Sequence, residues 1–448
     1  MPGAFSGEDQ HRLAHRRLGP LLRDRLGDDA PRVAHESGDI DAVVARCRRV
    51  EGRPDVLVLP AFRDHVWRSL ETTMTLAEHV PDLPVLLSGW GADPDYIDAI
   101  LQGRKLSHPR FAVVRGEVEE GLVDALETLV RSATFPTDAL QQHGLAIPDP
   151  NGGWRSRGTF RAVSDLARLP SPYLSGALKP EDMDGMVLVE VARGCLFRCH
   201  FCLSCNYPRQ EPRPFPLARI HAEIEYAARH HARSVGLLCS GLNYDLEVLE
   251  SVAAAFEAIP PETRPLVEST VHLSLLDERR LQAVMRLPWQ RMIVGLQSTN
   301  PAALALMHRQ VDLERFREAI ERVATVHTPV VELILGLPGD TLEGFVSTMR
   351  YVLELPVDIE VYHLRLDPGS LYMRDRAQLG LEADFSDEGR VLSTPTFSAQ
   401  GLERAKWALR ELGVRPWKYR AKRLGFDFQR IYDAGQQWRR EAERRRIR

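Results

Sequence analysis

No apolar run in this 448-residue chain approaches the length of a membrane span, so a bilayer-crossing helix is not expected. The start, Met1 to Asp9, lacks a basic region followed by an apolar one, which excludes a secretory signal peptide there. Charge of one sign is also missing: 58 Lys and Arg stand against 62 Asp and Glu, a net of −4. Bulk electrostatics therefore gives nucleic acid no reason to bind. Cysteine is sparse, six in all, and without a secretory signal so few in so long a chain exclude a disulfide framework. The expectation is a cytoplasmic protein acting on a small molecule, with no nucleic-acid or membrane partner. At 44% hydrophobic and 27% charged the composition is that of a globular enzyme, long enough for two or three domains.

Three of those cysteines are crowded together. Cys195, Cys199 and Cys202 follow a C-x3-C-x2-C spacing directly after the apolar run that begins at Met186. A strand ending in such a loop can wrap three thiolates around one face of a cubane iron–sulfur cluster. Full protein ligation takes four cysteines, so three leave one iron open to a small molecule. A zinc site is the competing reading, but zinc normally takes four Cys or His ligands, often as two pairs. No second pair is present, although His200 and Cys205 lie close by.

Residues 1–134 alternate short strand-like and helical runs, such as Asp55 to Leu59 and His65 to His79, which predicts a parallel, doubly wound α/β sheet. Residues 135–185 are rich in Pro, Gly and Ser and read as a linker. Residues 186–366 hold six strand candidates separated by helical patterns, a partial (βα)6 barrel with ligands expected at the C-terminal strand ends. Residues 367–448 read as a smaller mixed or helical extension, ending in a basic tail that reads as a solvated helix end.

The Cys loop, with Phe201 just before its third cysteine, resembles the signature loop of the radical S-adenosylmethionine (radical SAM) enzymes. Further along, Gly295-Leu-Gln297-Ser298 and Gly336-Leu337-Pro338-Gly339-Asp340-Thr341 close successive strand candidates, an order that resembles the radical SAM core. The resemblance implies a [4Fe-4S] cluster on Cys195, Cys199 and Cys202, with SAM chelating the open iron. Reductive cleavage of SAM would then give a 5′-deoxyadenosyl radical that takes hydrogen from substrate. It also implies that Ser240 and Gly241 meet the SAM amino group. Phe201, Gln297, Ser298 and Leu337 would line the remaining SAM contacts, and a flavodoxin-like or other one-electron donor would be the partner. Glu268, with Ser269, is placed to reach ribose or substrate, and Glu332 precedes the fifth-strand motif. His363, Arg365 and Asp367 alternate at the end of the sixth strand and read either as a substrate grip or as a salt-bridged rim. Asn243, Tyr244 and Asp245 follow the second strand, where Asp245 is also a candidate helix cap. Cys205 either donates a hydrogen atom or packs, and Cys47 and Cys239 read as buried small residues.

The runs Pro54 to Leu59, Pro81 to Gly89 and Val113 to Gly121 resemble the cobalamin-binding domain fused to many radical SAM enzymes. Three departures stand against a bound corrin. The D-x-H-x-x-G motif is missing, with Val33 where Asp belongs before His35; no first strand precedes the helix from His11 to Leu26; and Ser88-Gly89-Trp90-Gly91 replaces a Gly-Gly-Pro turn. Cobalamin is therefore a possible but not a favoured cofactor. The pattern resembles the radical SAM diol dehydratases of aminoglycoside biosynthesis, which implies loss of water from a vicinal diol with help from a partner reductase. Glu268, Asp245, Glu332, His363 and Asp367 are the candidate proton carriers. The alternative is a cobalamin-dependent radical SAM C-methyltransferase of natural-product biosynthesis. Cys195→Ala, Cys199→Ala or Cys202→Ala is each expected to abolish SAM cleavage, while Cys205→Ala keeps the visible absorbance of the cluster; a Cys205 variant without that absorbance would disprove the three-ligand assignment.

Overall fold

The computed structural model describes residues 7–27, 30–31, 33–35, 40–49, 51–61, 66–179, 185–203, 211–411 and 419–421. Cys205, residues 36–38 and the basic tail fall outside the described residues.

The first part runs α1 (Gly7–Leu26), β1 (Val33–His35), α2 (Ile40–Arg48), β2 (Val56–Pro60), α3 (Val66–His79), β3 (Val85–Ser88), α4 (Pro94–Leu101), β4 (Phe111–Val114), α5 (Val118–Val130), α6 (Thr137–Gln142), β5 (Ala146–Pro148) and β6 (Trp154–Arg157). Strands β1 to β4 pair in parallel, in sequence order. Their short continuous apolar runs suit strands covered on both faces. Alternation divides them: Leu57, Leu59, Val85, Leu87 and Val113 meet α2, α3 and α4, whereas Val56, Val58, Leu86, Ala112 and Val114 meet α1 and α5. Helix α4 starts where Asp93 accepts from the Asp95 and Tyr96 amides, with Pro94 in the first turn.

The stretch expected to be a linker does more than connect. Strands β5 and β6 extend the first sheet in antiparallel fashion. Its Pro and Gly content is turn chemistry: the Asp149 amide donates to Gly153 O at 2.9 Å, and Gly152 and Gly153 both take positive φ between two short strands.

The second part runs β7 (Met186–Glu190), β8 (Ala192–Arg193), β9 (Arg213–Pro214), α7 (Leu217–Arg229), β10 (Ser234–Leu238), α8 (Leu246–Glu257), β11 (Leu266–Thr270), α9 (Glu278–Met285), β12 (Trp289–Gln297), α10 (Pro301–Leu306), α11 (Leu313–Val323), β13 (Val330–Leu335), α12 (Leu342–Leu353) and β14 (Asp358–His363). Strands β7, β10, β11, β12, β13 and β14 pair in parallel in that order, a six-stranded partial barrel. The extension adds α13 (Leu371–Arg374), the hairpin β15 (Glu382–Asp384) and β16 (Arg390–Ser393), α14 (Ala399–Glu411) and β17 (Tyr419–Ala421), which pairs antiparallel to β14.

Charged side chains hidden from water join the two parts. Arg193 is 3% exposed and binds Glu119 at 2.6 Å, Glu190 at 2.9 Å and Glu117 at 3.5 Å. Arg17 of α1 reaches Glu119 at 3.3 Å and also pairs with Glu190, and Arg213 pairs with Glu117. The guanidinium groups of Arg17, Arg193 and Arg219 lie 5.6, 5.6 and 4.5 Å from the Phe215 ring centroid. Burial alone would raise the Glu190 carboxyl, but Arg17 and Arg193 outweigh it and hold it at about 2. Removing one partner leaves the others buried and uncompensated, which costs about 3–5 kcal/mol. Arg193→Met is therefore expected to lower the denaturant midpoint strongly. Because the folded carboxyl lies below its ordinary 4.5, the stabilisation it gives is present above that value and lost as pH falls towards 2. The wild type should show this acid limb of the stability curve, and a midpoint unchanged in Arg193→Met would refute the role of the network.

Candidate active site

Glu190 closes β7, and the chain turns over β8 into the Cys loop at the C-terminal mouth of the barrel. Gly194 makes the turn with φ +101, and a Cβ there would stand 2.7 Å from Glu211 O, so glycine is required. The loop is fixed along its length: the His200 amide donates to Met307 O at 3.1 Å, Cys202 to Cys199 O at 3.0 Å, and Tyr372 to His200 O at 3.0 Å. Phe201 is buried in an apolar cluster that also holds Tyr96, Met307, Leu366 and Tyr372, so residues of both sheets pack behind the loop.

Cys195 and Cys199 are buried and Cys202 is half-buried. The Tyr244 hydroxyl lies 3.2 Å from Cys195 Sγ, and the Phe197 amide donates to the same sulfur at 3.4 Å. Burial pushes the Cys199 thiol up, and Arg309, with Nη1 at 4.0 Å, works against that rise. Among the described residues no three His, Cys, Asp or Glu side chains gather as ligands of a single metal ion. A zinc ion would need its ligands to converge on one point, whereas in a cubane each thiolate takes a different iron. The three thiols of one short loop, with a guanidinium beside them, fit a [4Fe-4S] cluster.

A cavity of about 410 Å³ opens beside this loop, lined by Phe197, His272, Gly295, His308 and Arg309 among others. Arg309 also donates to Gly295 O. Gln297 takes φ +74 at the end of β12, and its buried Oε1 has no hydrogen-bond partner among the described residues. A Cβ on Gly295 would come 2.6 Å from Gln297 Nε2. An orphaned acceptor, a close-approach glycine and a cation beside the cysteines fit SAM, with Arg309 the natural partner of its carboxylate.

The remaining sequence candidates divide. Ser240 O lies 3.0 Å from His272 Nε2 and 3.3 Å from the Tyr244 hydroxyl oxygen, and a Cβ on Gly241 would strike the Tyr244 ring at 2.3 Å. Ser298 is turned towards Asn300 N at 3.0 Å and Thr348 Oγ1 at 3.5 Å, holding the turn into α10. Leu337 is fully buried in the same apolar cluster as Phe201. Glu268 and Glu332 sit mid-strand in β11 and β13, 8% and 2% exposed, and Glu332 is close enough to Tyr362 to help raise its hydroxyl. Asp367 is buried just beyond β14.

At two places where the sequence left two readings open, the contacts favour the structural one. Asp245 is the exposed N-cap of α8, accepting from Glu247 and Val248 amides at 2.9 and 3.2 Å. His363 and Arg365 make a structural rim: His363 Nε2 contacts Val391 O at 2.7 Å, and Arg365 binds Asp387 and Glu388, each at 3.0 Å. Burial, reinforced by Lys406, lowers His363 to about 3. Both side chains are committed to the β15–β16 hairpin. The site residues that strand motifs did not single out are His272 and Arg309, which sit in turns after β11 and α10; a lone basic residue behind a short helix is the faint signal that marks Arg309.

The fold and the mouth define an α/β protein of two parts whose barrel carries a three-thiol loop with a cavity beside it. Residues 189–352, which carry the Cys loop and both glycine motifs, match the Radical SAM superfamily, so this barrel is a radical SAM domain. The chain is similar to the cobalamin-dependent radical SAM methyltransferase TokK of Streptomyces tokunonensis, at 27% identity over 348 residues, 71% of this chain and 48% of that protein. It is 25% identical over 350 residues to the 2-(S-pantetheinyl)-carbapenam-3-carboxylate methyltransferase of Streptantibioticus cattleyicolor, with the same coverage. The chain thus spans about half the length of the curated relatives it matches. Among solved structures it shares its fold with TsrM of Kitasatospora setae bound to cobalamin and a [4Fe-4S] cluster, at TM-score 0.58, 15% identity, and 83% of this chain and 77% of that one. The cobalamin-dependent enzyme OxsB aligns at TM-score 0.60, 11% identity, and 84% and 62% coverage.

The resemblance of the first part's sequence to cobalamin-binding domains raises the question of a corrin on the first sheet. Its described parallel strands never reverse order, so no topological switch point of the kind at which such sheets seat a nucleotide lies among them. The turn after β3 is closed: the Gly91 amide donates to Ala61 O, a Cβ on Gly91 would stand 2.4 Å from Val66 Cγ2, and the Trp90 ring packs 5.5 Å from Phe160. The described residues do not fit a corrin seated in that manner. For SAM, Arg309→Met should weaken binding to reconstituted protein by about tenfold or more, the worth of one hydrogen bond to a charged group; equilibrium dialysis showing wild-type affinity would remove Arg309 from the site.

Proposed function

We propose that this chain is a radical SAM enzyme that takes a hydrogen atom from a small natural-product intermediate. The observation that carries this is the Cys195–Cys202 loop at the barrel mouth, with Arg309 and the cavity beside it. When bound, the cluster and SAM supply a 5′-deoxyadenosyl radical. The protein's own part is to fix the three thiols, offer Arg309 to an anion, and keep water from the mouth with the apolar cluster behind Phe201.

Of the two fates open to the substrate, the curated relatives support methyl transfer, and they support it better than the dehydration expected from sequence. The support is a likeness over 71% of this chain, which reaches well beyond the barrel motifs. Loss of water from a vicinal diol is kept as a second reading because one observation favours it: the unreversed order of the first sheet's described parallel strands, with no switch-point crevice among them. In that reading the candidate proton carriers are the buried carboxylates Glu268, Glu332 and Asp367.

One experiment separates the readings. The protein is reconstituted anaerobically with iron and sulfide, with and without hydroxocobalamin, then desalted and assayed with SAM and a reductant. Corrin retained one to one, with S-adenosylhomocysteine formed alongside 5′-deoxyadenosine, is the expected outcome for methyl transfer. Cluster and 5′-deoxyadenosine without retained corrin would eliminate it and favour dehydration, and no SAM cleavage under any condition would refute the enzyme reading altogether.

A further inference from the structure

Three aromatic side chains form a compact group against the Cys loop. Phe197, between the first and second cysteines, stacks on His272 with centroids 4.8 Å apart, and the Tyr244 ring lies 5.0 Å from His272. Asn243 clamps the His272 backbone on both sides, donating to His272 O at 2.8 Å and accepting from His272 N at 2.9 Å. Gly241 leaves room for this group, because a Cβ there would meet both the Tyr244 and His272 rings within 2.7 Å.

The hydrogen-bond pattern orders the protons. His272 Nε2 lies 3.0 Å from Ser240 O and 2.9 Å from Tyr244 Oη. A carbonyl oxygen only accepts, so Nε2 carries the hydrogen of the imidazole. A protonated Nε2 has no lone pair to offer, so the tyrosine cannot donate its own hydrogen to it. The phenolic hydrogen is left with Cys195 Sγ at 3.2 Å or Ser240 O at 3.3 Å. A thiolate bound to iron is an acceptor only, and a charged acceptor draws the hydrogen more strongly than a carbonyl that His272 already serves.

We infer that Tyr244, oriented by His272, is a positioning residue that donates a hydrogen bond to the Cys195 sulfur and thereby raises the reduction potential of the cluster. The inference rests on the reading that the three thiols hold a cluster. Hydrogen bonds to ligand sulfurs are among the levers that set such potentials, and the partners behind the ligands orient and tune them. Reduction adds negative charge to the iron–sulfur unit. A donor aimed at one of its sulfurs stabilises the reduced state more than the oxidised one, so the electron enters more easily.

The test uses the full chain, reconstituted anaerobically with iron and sulfide, as wild type and as Tyr244→Phe, which removes the donor and keeps the ring. Iron content and visible absorbance are measured first, then the cluster is titrated potentiometrically and followed by electron paramagnetic resonance. The expected result is full iron content and a midpoint shifted to more negative potential. A second protein, with a fluorinated tyrosine at 244 as a stronger donor, is expected to shift it the opposite way. An unchanged midpoint in either protein overturns the inference, as does loss of iron from Tyr244→Phe, since a bond to an already ligated sulfur is not needed for assembly. Absence of a cluster from the wild type would instead overturn the underlying reading, which keeps the two failures distinct.

Discussion

The constraint on which the rest of this molecule depends is the buried charge network around Glu190 and Arg193. Glu190 is the last residue of β7, and Arg193 stands two residues before Cys195. Their partners Arg17, Glu117 and Glu119 belong to the other sheet's helices and turns. Charges so deeply buried persist only when each is paired. The geometry is therefore all or nothing: with both parts docked each of these charges has an opposite partner, and with either withdrawn several charges stand alone in an apolar setting. The strand that launches the Cys loop is thereby fixed to the first sheet.

From that anchor the site is assembled by turns rather than by any single element. The loop supplies thiols, the turn after β10 supplies Tyr244, the turn after β11 His272, and the segment after α10 Arg309. Each turn is held by its own backbone or capping bonds, as Asn243 does for His272 and Asn300 for the start of α10. Rigid strands beneath and short, internally bonded turns above place polar groups around one mouth, the usual arrangement of a parallel barrel. The apolar cluster behind Phe201 then joins residues of both parts, and keeps that side of the loop dry.

Much of this was legible in the residues. The cysteine spacing, Gly295 to Ser298 and Gly336 to Thr341 marked the barrel because glycines at strand ends and thiols in one loop have few other uses. Within residues 135–185, read as a linker, residues 146–157 form a hairpin, because Pro and Gly mark a tight hairpin as readily as a linker, and only pairing with β4 distinguishes them. His363 and Arg365 shared the alternation of a substrate-facing pair, yet a hairpin about 25 residues further on consumes both. Asp245 showed both of its readings in advance, and the amides of α8 decided for the cap.

Sequence alone determined the class of chemistry, since the type and spacing of ligating residues are local properties that a short loop carries with it. It also determined the alternation of strands and helices, through periodicity and burial on both faces. The tertiary structure decided which polar residues meet at the mouth, because Tyr244, His272 and Arg309 come from segments with no common local pattern. It decided as well that the first sheet keeps its strands in unreversed order. Strand order is a matter of which neighbours pair across space, and no periodicity along the chain encodes it.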